Sequence, residues 1–332
     1  MAYFFSFIIP VYNRPEEVRE LLTSFEQQDY KGDYEIVIVE DGSSLTAENV
    51  VKSFKNLPIS YFFKTNSGPG PSRNYGMQRA QGTYFIILDS DCLLPPEYLS
   101  AVYRELNREP VDFFGGSDAA HSGFTPLQKA INYSMTALLT TGGIRGKKKS
   151  TGKFQPRSFN MGISKAAFVA SGGFGNIHPG EDPDLSLRLW KLGFNSRFIA
   201  AAYVYHKRRI SWNSFYKQVR KFGLVRPILN VWHPDSARLT YWFPTMFIFG
   251  AALSIILLFY GIIWPGFILV VYLFILTADA TLKNKSILIG GMSVFATLVQ
   301  FVGYGLGFAE ATLAVGWRKK LPQERFPYLF FD

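Results

Sequence analysis

Residues 239–278 contain no charged side chain. As a single helix rising ~1.5 Å per residue, that stretch would reach ~60 Å, about twice the ~30 Å depth of a bilayer's hydrocarbon core. Trp264-Pro265-Gly266 interrupts it, and a proline removes an amide donor and disfavours helix in the residue before it. Two membrane helices joined by a tight turn are therefore expected. Residues 286–309 are also uncharged and long enough to cross, so three spans are expected over residues 239–316. The first two form a hairpin that returns Lys283 and Lys285 to the side the chain left, in keeping with cytoplasmic retention of Lys and Arg. Asp279 sits one helical turn before Lys283 and should pair with it, softening a cost of ~3 kcal/mol for a charge in lipid. A third full span places Arg318-Lys319-Lys320 on the far side, against that retention. The alternative is that part of residues 286–316 turns back along the interface.

Composition bounds what precedes these spans. At 332 residues the chain has room for one large or two small globular units. Its first ten residues have neither the basic start nor the small-residue cleavage site of a secretory signal, so the region ahead of the spans is expected in the cytoplasm. The lone cysteine, Cys92, rules out an internal disulfide and suits a reducing compartment. A net charge of +10 points to an anionic partner. The cations cluster beside apolar segments, at Lys207-Arg208-Arg209, Lys217, Arg220-Lys221 and Arg318-Lys319-Lys320, which favours lipid headgroups over nucleic acid. Residues 211–238 mix Trp212, Phe215, Tyr216 and Phe222 with Lys217, Arg220, Lys221 and Arg226, the composition of an amphipathic helix lying in the membrane interface.

Ahead of that segment, strand and helix alternate. Residues 4–11, 35–39, 59–63 and 84–88 are short apolar, β-favouring runs. Residues 15–28, 46–54 and 72–80 read as helices, the first opening on Pro15 with Glu16 and Glu17 in its first turn. This order predicts a doubly wound, mostly parallel α/β sheet, in which ligands bind beyond the carboxyl ends of the strands. Glu40-Asp41-Gly42 and Asp89-Ser90-Asp91 both fall at such ends. Continued strand through residue 91 would put Asp89 and Asp91 on one face. Two carboxylates so placed repel unless a cation lies between them, and hard oxygens suit Mg²⁺ or Mn²⁺ held jointly with substrate phosphates. Neither Gly-x-x-x-x-Gly-Lys-Ser/Thr nor Gly-x-Gly-x-x-Gly occurs, so an ATPase or a dehydrogenase is disfavoured.

Five segments, in order, resemble family 2 glycosyltransferases of the GT-A (Rossmann-like) fold. They are Ile-Ile-Pro-Val-Tyr-Asn-Arg at 8–14, Val-Glu-Asp-Gly-Ser-Ser at 39–44, Gly-Pro-Ser-Arg-Asn-Tyr-Gly at 70–76, Leu-Asp-Ser-Asp at 88–91 and Gly-Glu-Asp-Pro-Asp-Leu-Ser-Leu-Arg at 180–188. The resemblance covers residues 4–210 and implies transfer of a sugar from a nucleotide sugar with inversion. It implies a nucleotide pocket lined by Pro10, Tyr12 and Glu40 or Asp41, with Asp41 against the base. A carboxylate accepts from an imide N–H such as that of uracil, which favours a UDP-sugar. Arg73 is expected on the donor diphosphate or on Asp89 and Asp91. Asp91 is expected to bind a Mn²⁺ or Mg²⁺ ion that bridges the diphosphate, with Asp89 on the ribose or a metal-bound water, Ser90 between them and His206 completing the metal shell. Such an ion acts as a Lewis acid at the leaving group. Inversion in one displacement needs one base for the acceptor hydroxyl. The resemblance gives that role to Asp182, with Asp184 as its nearest rival. Arg157, Asn160 and Glu181 fall where relatives contact the acceptor and the sugar.

Two further segments bear on the acceptor. Residues 140–149 hold three glycines and four cations, the composition of a mobile loop that meets an anionic acceptor or closes over the diphosphate. Gln218-Val219-Arg220-Lys221-Phe222 resembles a degraded Gln-x-x-Arg-Trp of processive polysaccharide synthases. Lys and Phe replace Arg and Trp, and Lys does not substitute for Arg at a bidentate site, so processive synthesis is disfavoured. Gln218, Arg220 and Lys221 remain candidate diphosphate or acceptor contacts.

The whole chain thus reads as a bacterial inner-membrane enzyme. A cytoplasmic GT-A domain over 1–210 is followed by an interfacial segment over 211–238, membrane helices over 239–316 and a basic, aromatic tail over 317–332. Its expected partners are a nucleotide-sugar donor, a lipid-linked or saccharide acceptor and membrane lipids, with no nucleic acid. Anchoring at the membrane raises the effective concentration of a lipid-linked acceptor. Two alternatives stand beside this reading. A polyprenyl-phosphate sugar transferase has an acceptor that arrives ionised and needs no strong base, so it tolerates Asp182→Asn. A membrane scaffold binds nucleotide without turnover, and intact Asp89, Asp91 and Asp182 argue against it.

Overall fold

The structure is a computed structural model and describes residues 3–119, 124–141, 154–206 and 211–331. From residue 142 on, the glycine- and lysine-rich segment expected to close over the site lies outside the described residues. In chain order the first elements are β1 (Phe5–Val11), α1 (Pro15–Glu26), β2 (Tyr34–Asp41), α2 (Glu48–Ser53), β3 (Ile59–Lys64), α3 (Pro69–Arg79), β4 (Tyr84–Leu88), β5 (Cys92–Leu93), α4 (Tyr98–Arg108) and β6 (Phe113–Ala119). They continue with α5 (Pro126–Thr136), α6 (Leu138–Thr141), β7 (Asn160–Ser164), α7 (Lys165–Ser171), α8 (Glu181–Lys191), β8 (Ser196–His206), α9 (Trp212–Trp232), α10 (Phe243–Phe259), α11 (Trp264–Asn284), α12 (Ile287–Ala311) and α13 (Pro322–Arg325). The strands and helices expected before residue 90 are all present, shifted by a few residues at some ends.

Two compact units result. One holds Met1–His121, Lys148–Lys207 and Phe330–Asp332; the other holds Ser122–Lys147 and Arg208–Leu329. The units are not successive blocks of sequence, because α5 groups with the later helices and residues 330–332 group with the sheet.

The first unit is built on an eight-stranded sheet in the order β3-β2-β1-β4-β7-β6-β8-β5. β3, β2, β1 and β4 run parallel. β7 opposes both β4 and β6, β8 parallels β6, and β5 opposes β8. β1, β2 and β4 are covered on both faces, which is why they read as nearly unbroken apolar runs. Phe5, Phe7, Ile9, Ile36 and Ile38 pack with Leu21 and Phe25 of α1 and with Leu99 and Val102 of α4. Ile8, Val37, Val39, Phe85 and Ile87 pack on the opposite face with Met77 of α3 and with Leu185 and Leu189 of α8. A one-residue slip would exchange these faces. Each large apolar side chain contributes ~1.5–3 kcal/mol by burial, so the two layers together lock the register. That register sets Val11 opposite Glu40, Ile8 opposite Ile87, and Leu88 opposite Asn160. The carboxyl ends of β1, β2 and β4 and the first residue of β7 therefore share one end of the sheet.

In the second unit, α12 lies directly against α9. A Cβ on Gly223 of α9 would stand 2.2 Å from the Tyr304 carbonyl, and one on Gly307 of α12 would stand 2.6 Å from the Arg220 carbonyl. Small residues are what allow helix backbones to approach so closely. The apolar residues Phe215, Val219, Leu224 and Ile228 of α9 are buried within this unit. Leu239–Phe259, Trp264–Asn284 and Ile287–Trp317 are long and apolar enough to cross a membrane. Phe249, Phe259, Phe267 and Phe274 stand exposed on them, apolar faces that a water-soluble surface rarely presents together. The expected Asp279–Lys283 pair is present at 2.8 Å, and Asp279 also accepts from the Tyr133 hydroxyl of α5 at 2.5 Å. This second contact helps explain why α5 belongs with the helices.

Candidate active site

β4 stops at Leu88, and Asp89-Ser90-Asp91 forms a turn closed by the Cys92 N–H on the Asp89 carbonyl at 3.2 Å. Strand alternation therefore does not pair the two carboxylates as expected. A turn places them instead, in keeping with the turn preference of Asp and Ser. Their neighbours differ. Asp89 Oδ1 accepts from Arg73 Nη2 at 2.8 Å, whereas Asp91 Oδ2 lies 3.7 Å from Arg14 Nη1. Arg14 also pairs with Glu17 at 3.2 Å. Ser90 between them is buried. Cys92, the next residue, pairs with His206 at the end of β8. The His206 backbone thus lies beside the turn, and its side chain lies outside the described residues.

Arg73 projects from α3 and is 3% exposed. Its Nη1 donates to Glu181 Oε1 at 2.8 Å while its Nη2 holds Asp89, and the Phe174 ring lies 5.3 Å from its guanidinium carbon. Burial disfavours the charge, but Asp89 and Glu181 outweigh burial and raise the pKa. The expected pairing of Arg73 with Asp89 is present. The link to Glu181, 108 residues away in sequence, was not anticipated.

α8 opens with Glu181, Asp182 and Asp184 in its first turn, where the helix dipole favours negative charge. Their surroundings separate them. Glu181 sits between Arg73 and His178, whose Nδ1 is 3.1 Å from both carboxylate oxygens. Burial pushes the Glu181 pKa up, yet His178 and Arg73 outweigh it and hold the group well below the usual carboxylate range. Asp184 is tied to Arg188 Nε at 2.9 Å, and Arg188 also donates to the carbonyls of Ser171 and Gly173. Asp182 lies 3.6 Å from Arg157 Nη1 and is 14% exposed. Burial raises its pKa and Glu181 adds to the rise, while Arg157 opposes it. Neighbouring carboxyls pushed apart in this way divide acid–base roles: one stays a fixed anion, and the other keeps its affinity for a proton. Asp184, the rival of Asp182, is held inside the helix packing.

The nucleotide side differs from expectation in its details. Tyr12 is exposed at the sheet end, next to the half-buried Pro10 and the buried Val11 that close β1. Glu40 is fully buried and accepts from Ser43, from the Ala47 N–H at 2.9 Å and from the Tyr61 hydroxyl at 3.0 Å. Asp41 accepts from Lys64 at 2.5 Å and from the Ser67 and Gly68 amides at 2.9 Å each. Both carboxylates therefore brace loops, where a base contact was expected of one of them. Asn160 is likewise buried. Its Oδ1 accepts from the Tyr98 hydroxyl at 2.7 Å, and its Nδ2 donates to the Ala202 carbonyl at 2.8 Å and the Ser117 carbonyl at 3.4 Å. It braces β6, β7 and β8 instead of facing sugar hydroxyls, because a buried amide must satisfy its polar atoms internally. Arg220 pairs with Glu310 at 2.7 Å, and Arg325 holds the other Glu310 oxygen at 3.0 Å. Arg220 and Lys221 join Tyr216, Lys217, Leu224 and Tyr328 around a cavity of about 420 Å³ in the second unit.

Three residues of the site carried no sequence assignment. Arg14 closes the 8–14 segment, and that position was its only signal. His178 stands three residues before Glu181, a helical spacing that reaches across the start of α8. Lys64 ends β3 opposite Asp41, and only strand register reveals it.

Among the described residues, no three His, Cys, Asp or Glu side chains converge as a metal cage. Asp89 and Asp91 supply hard oxygens and are 33% and 20% exposed. A Mg²⁺ or Mn²⁺ ion held by one or two carboxylates together with substrate phosphates asks for no more protein ligands than these. The donor set fits such an ion.

Residues 6–168 match the profile of glycosyl transferase family 2. The poly(ribitol-phosphate) beta-N-acetylglucosaminyltransferase TarS of Staphylococcus aureus is 34% identical over 99 residues, which cover 29% of this chain and 17% of that protein. The chain spans a third or less of the length of the curated relatives it matches. Among solved structures, the mannosyltransferase PcManGT of Pyrobaculum calidifontis, in complex with GDP-Man and Mn²⁺, aligns with a TM-score of 0.58 at 15% identity, over 96% of this chain and 89% of that one. Residues 1–349 of S. aureus TarS, in complex with UDP, align with a TM-score of 0.50 at 19% identity, over 94% and 91%. At these identities the likeness speaks for the fold, and it is the GT-A-like fold expected. The span that matches glycosyl transferase family 2, residues 6–168, supplies Arg14, Arg73, Asp89 and Asp91.

Proposed function

We propose that the chain is an inverting, divalent-cation-dependent glycosyltransferase of the bacterial inner membrane. It takes a sugar from a nucleotide sugar, with a UDP-sugar as the leading donor, and delivers it on the cytoplasmic face to a membrane-associated, lipid-linked saccharide. The observation that carries this reading is the division of carboxylates at the sheet end: Asp89 and Glu181 are both held by Arg73, and Asp182 stands beside Glu181 with its pKa raised. The apolar helices after residue 239 support the membrane setting, and the bacterial sources of the relatives support the bacterial one.

In this mechanism Asp91 and Asp89 hold Mn²⁺ or Mg²⁺, which supplies Lewis-acid stabilisation of the departing nucleoside diphosphate. Arg73 keeps Asp89 oriented and, with Glu181, ties the start of α8 to that carboxylate. Asp182 takes the proton of the acceptor hydroxyl. The hydroxyl oxygen then bonds to the anomeric carbon as the bond from that carbon to the phosphate oxygen breaks, and the electron pair leaves with the diphosphate. The uracil is expected against the loop that Asp41 holds in place. TarS bound to UDP supports uridine, and PcManGT bound to GDP-Man names the competitor.

The full chain in lipid nanodiscs, offered UDP- and GDP-sugars with Mn²⁺ or Mg²⁺, tests the proposal through nucleoside diphosphate release. Release is expected with a UDP-sugar and is expected to stop on chelation. No release from any donor would end the enzyme reading. Asp91→Asn is expected to weaken Mn²⁺-dependent UDP binding by more than the ~10–100-fold that loss of an outer-shell partner costs a metal site. Calorimetry with and without Mn²⁺ reads it, and unchanged metal dependence would remove Asp91 from the site.

The pH profile supplies a separate check. Asp182 works as a base only when ionised, so transfer should rise as pH climbs through its raised pKa. Arg157 lowers that pKa, so Arg157→Gln should move the acidic limb of the kcat profile to higher pH. A limb that stays in place, or moves to lower pH, contradicts the assignment of Asp182.

A further inference from the structure

We propose that Phe331 is a positioning residue, a ring laid across two loops that organise the acidic site. Phe330 forms an antiparallel bridge with Ile177, and the Phe331 N–H donates to the Asn176 carbonyl at 3.0 Å. These backbone contacts aim the Phe331 ring at two places. On one side it lies over Gly68, where a Cβ would stand 2.3 Å from the ring and where φ is +87°. Both the contact and the dihedral require glycine. The Gly68 N–H is one of the donors that hold Asp41. On the other side the ring centroid is 6.1 Å from the His178 imidazole, within the range of aromatic pairs. His178 bonds Glu181, Glu181 bonds Arg73, and Arg73 bonds Asp89. One ring therefore abuts both the loop that Asp41 ties down and the line of charged contacts that ends at Asp89.

Residues 65–68 and 174–176 contain no regular secondary structure. Loops of this kind open at a lower free-energy cost than the strands they join. Phe331, with its ring on Gly68 and on His178 just beyond the second loop and its N–H on the Asn176 carbonyl, raises the cost of opening either. The sites they flank are then ordered before a donor arrives, and binding does not have to order them. The kinetic consequence rests on the glycosyltransferase reading; the ordering of the loops does not.

Amide hydrogen exchange on the full chain in nanodiscs tests this, comparing wild type, Phe331→Ala and Phe331→Tyr. Phe331→Ala is expected to speed exchange at least about tenfold in peptides spanning residues 64–74 and 174–182, with amides of β1, β2 and β4 unchanged. Phe331→Tyr keeps the ring and should restore protection. Unchanged exchange in the two loops, or exchange raised evenly through the sheet, overturns the proposal. In turnover, Phe331→Ala should raise the donor KM with kcat changed less than about twofold, the signature of lost ground-state binding. Failure of the wild type to turn over any donor would count against the glycosyltransferase reading alone, because exchange still decides the role of Phe331.

Discussion

Asp182→Asn is expected to slow sugar transfer by ~10²–10⁴-fold, the usual contribution of a positioned general base, while metal-dependent UDP binding changes less than about twofold. The change removes a proton acceptor and little else. Asp182 lies at the first turn of α8, and its ion-pair distance to Arg157 is a long 3.6 Å. An amide is isosteric and keeps one acceptor oxygen. The predicted pattern is a fall in kcat and kcat/KM together, as for an interaction made only in the transition state. Nucleoside diphosphate release and calorimetry on the same preparation separate rate from binding. Unimpaired transfer would show that the acceptor arrives already ionised, which is the polyprenyl-phosphate alternative. The neighbouring Glu181 is unsuited to the role because Arg73 and His178 keep it an anion of low proton affinity.

Arg73→Gln is expected to cost ~3–5 kcal/mol of stability, because it removes one partner from a buried ionic cluster and leaves the others uncompensated. Arg73 and Glu181 are each 3% exposed, so water cannot readily replace the guanidinium. For a unit of this size the midpoint of thermal unfolding should fall on the order of 10 °C, read by near-ultraviolet circular dichroism. The double substitution Arg73→Gln with Glu181→Gln removes the more deeply buried partner as well and should recover much of the loss, since a neutral pair leaves less charge stranded. Equal stability of Arg73→Gln and wild type would mean that the bridge from α3 to α8 contributes nothing net. Loss of donor binding without loss of stability would instead make Arg73 a ligand contact first and a brace second.

Several residues of the candidate site were legible before any fold was known, and the reason is local. Asp89, Asp91 and Asp182 stand at the edges of apolar runs, where period and composition change abruptly. Other residues had the right chemistry in the wrong setting. Glu40, Asp41 and Asn160 were expected to face ligand, and each carries hydrogen bonds from its own protein instead. Nothing in a strand-end Glu-Asp pair distinguishes a carboxylate that meets a nucleotide from one that stitches β2 to the following loops. The distinction lies in which amides and hydroxyls the fold brings within 3 Å. Asp89 and Asp91 show the same limit at shorter range. Their spacing suggested strand alternation, whereas the strand ends at Leu88, before either carboxylate, and a turn does the placing.

What the sequence alone determined follows from burial. The uncharged run over 239–278, the apolar strands β1, β2 and β4, and the amphipathic helices between them record how much of each segment must avoid water, and that requirement is written residue by residue. Partner choice among polar groups is not written that way. The Arg73 bridge spans 108 residues to Glu181, α5 joins helices far later in the chain, and Phe331 meets Gly68 and His178. Only the tertiary structure decided these contacts. Hydrogen bonds and ion pairs act over a few ångströms, so no spacing along the chain encodes them until hydrophobic packing has brought the segments together.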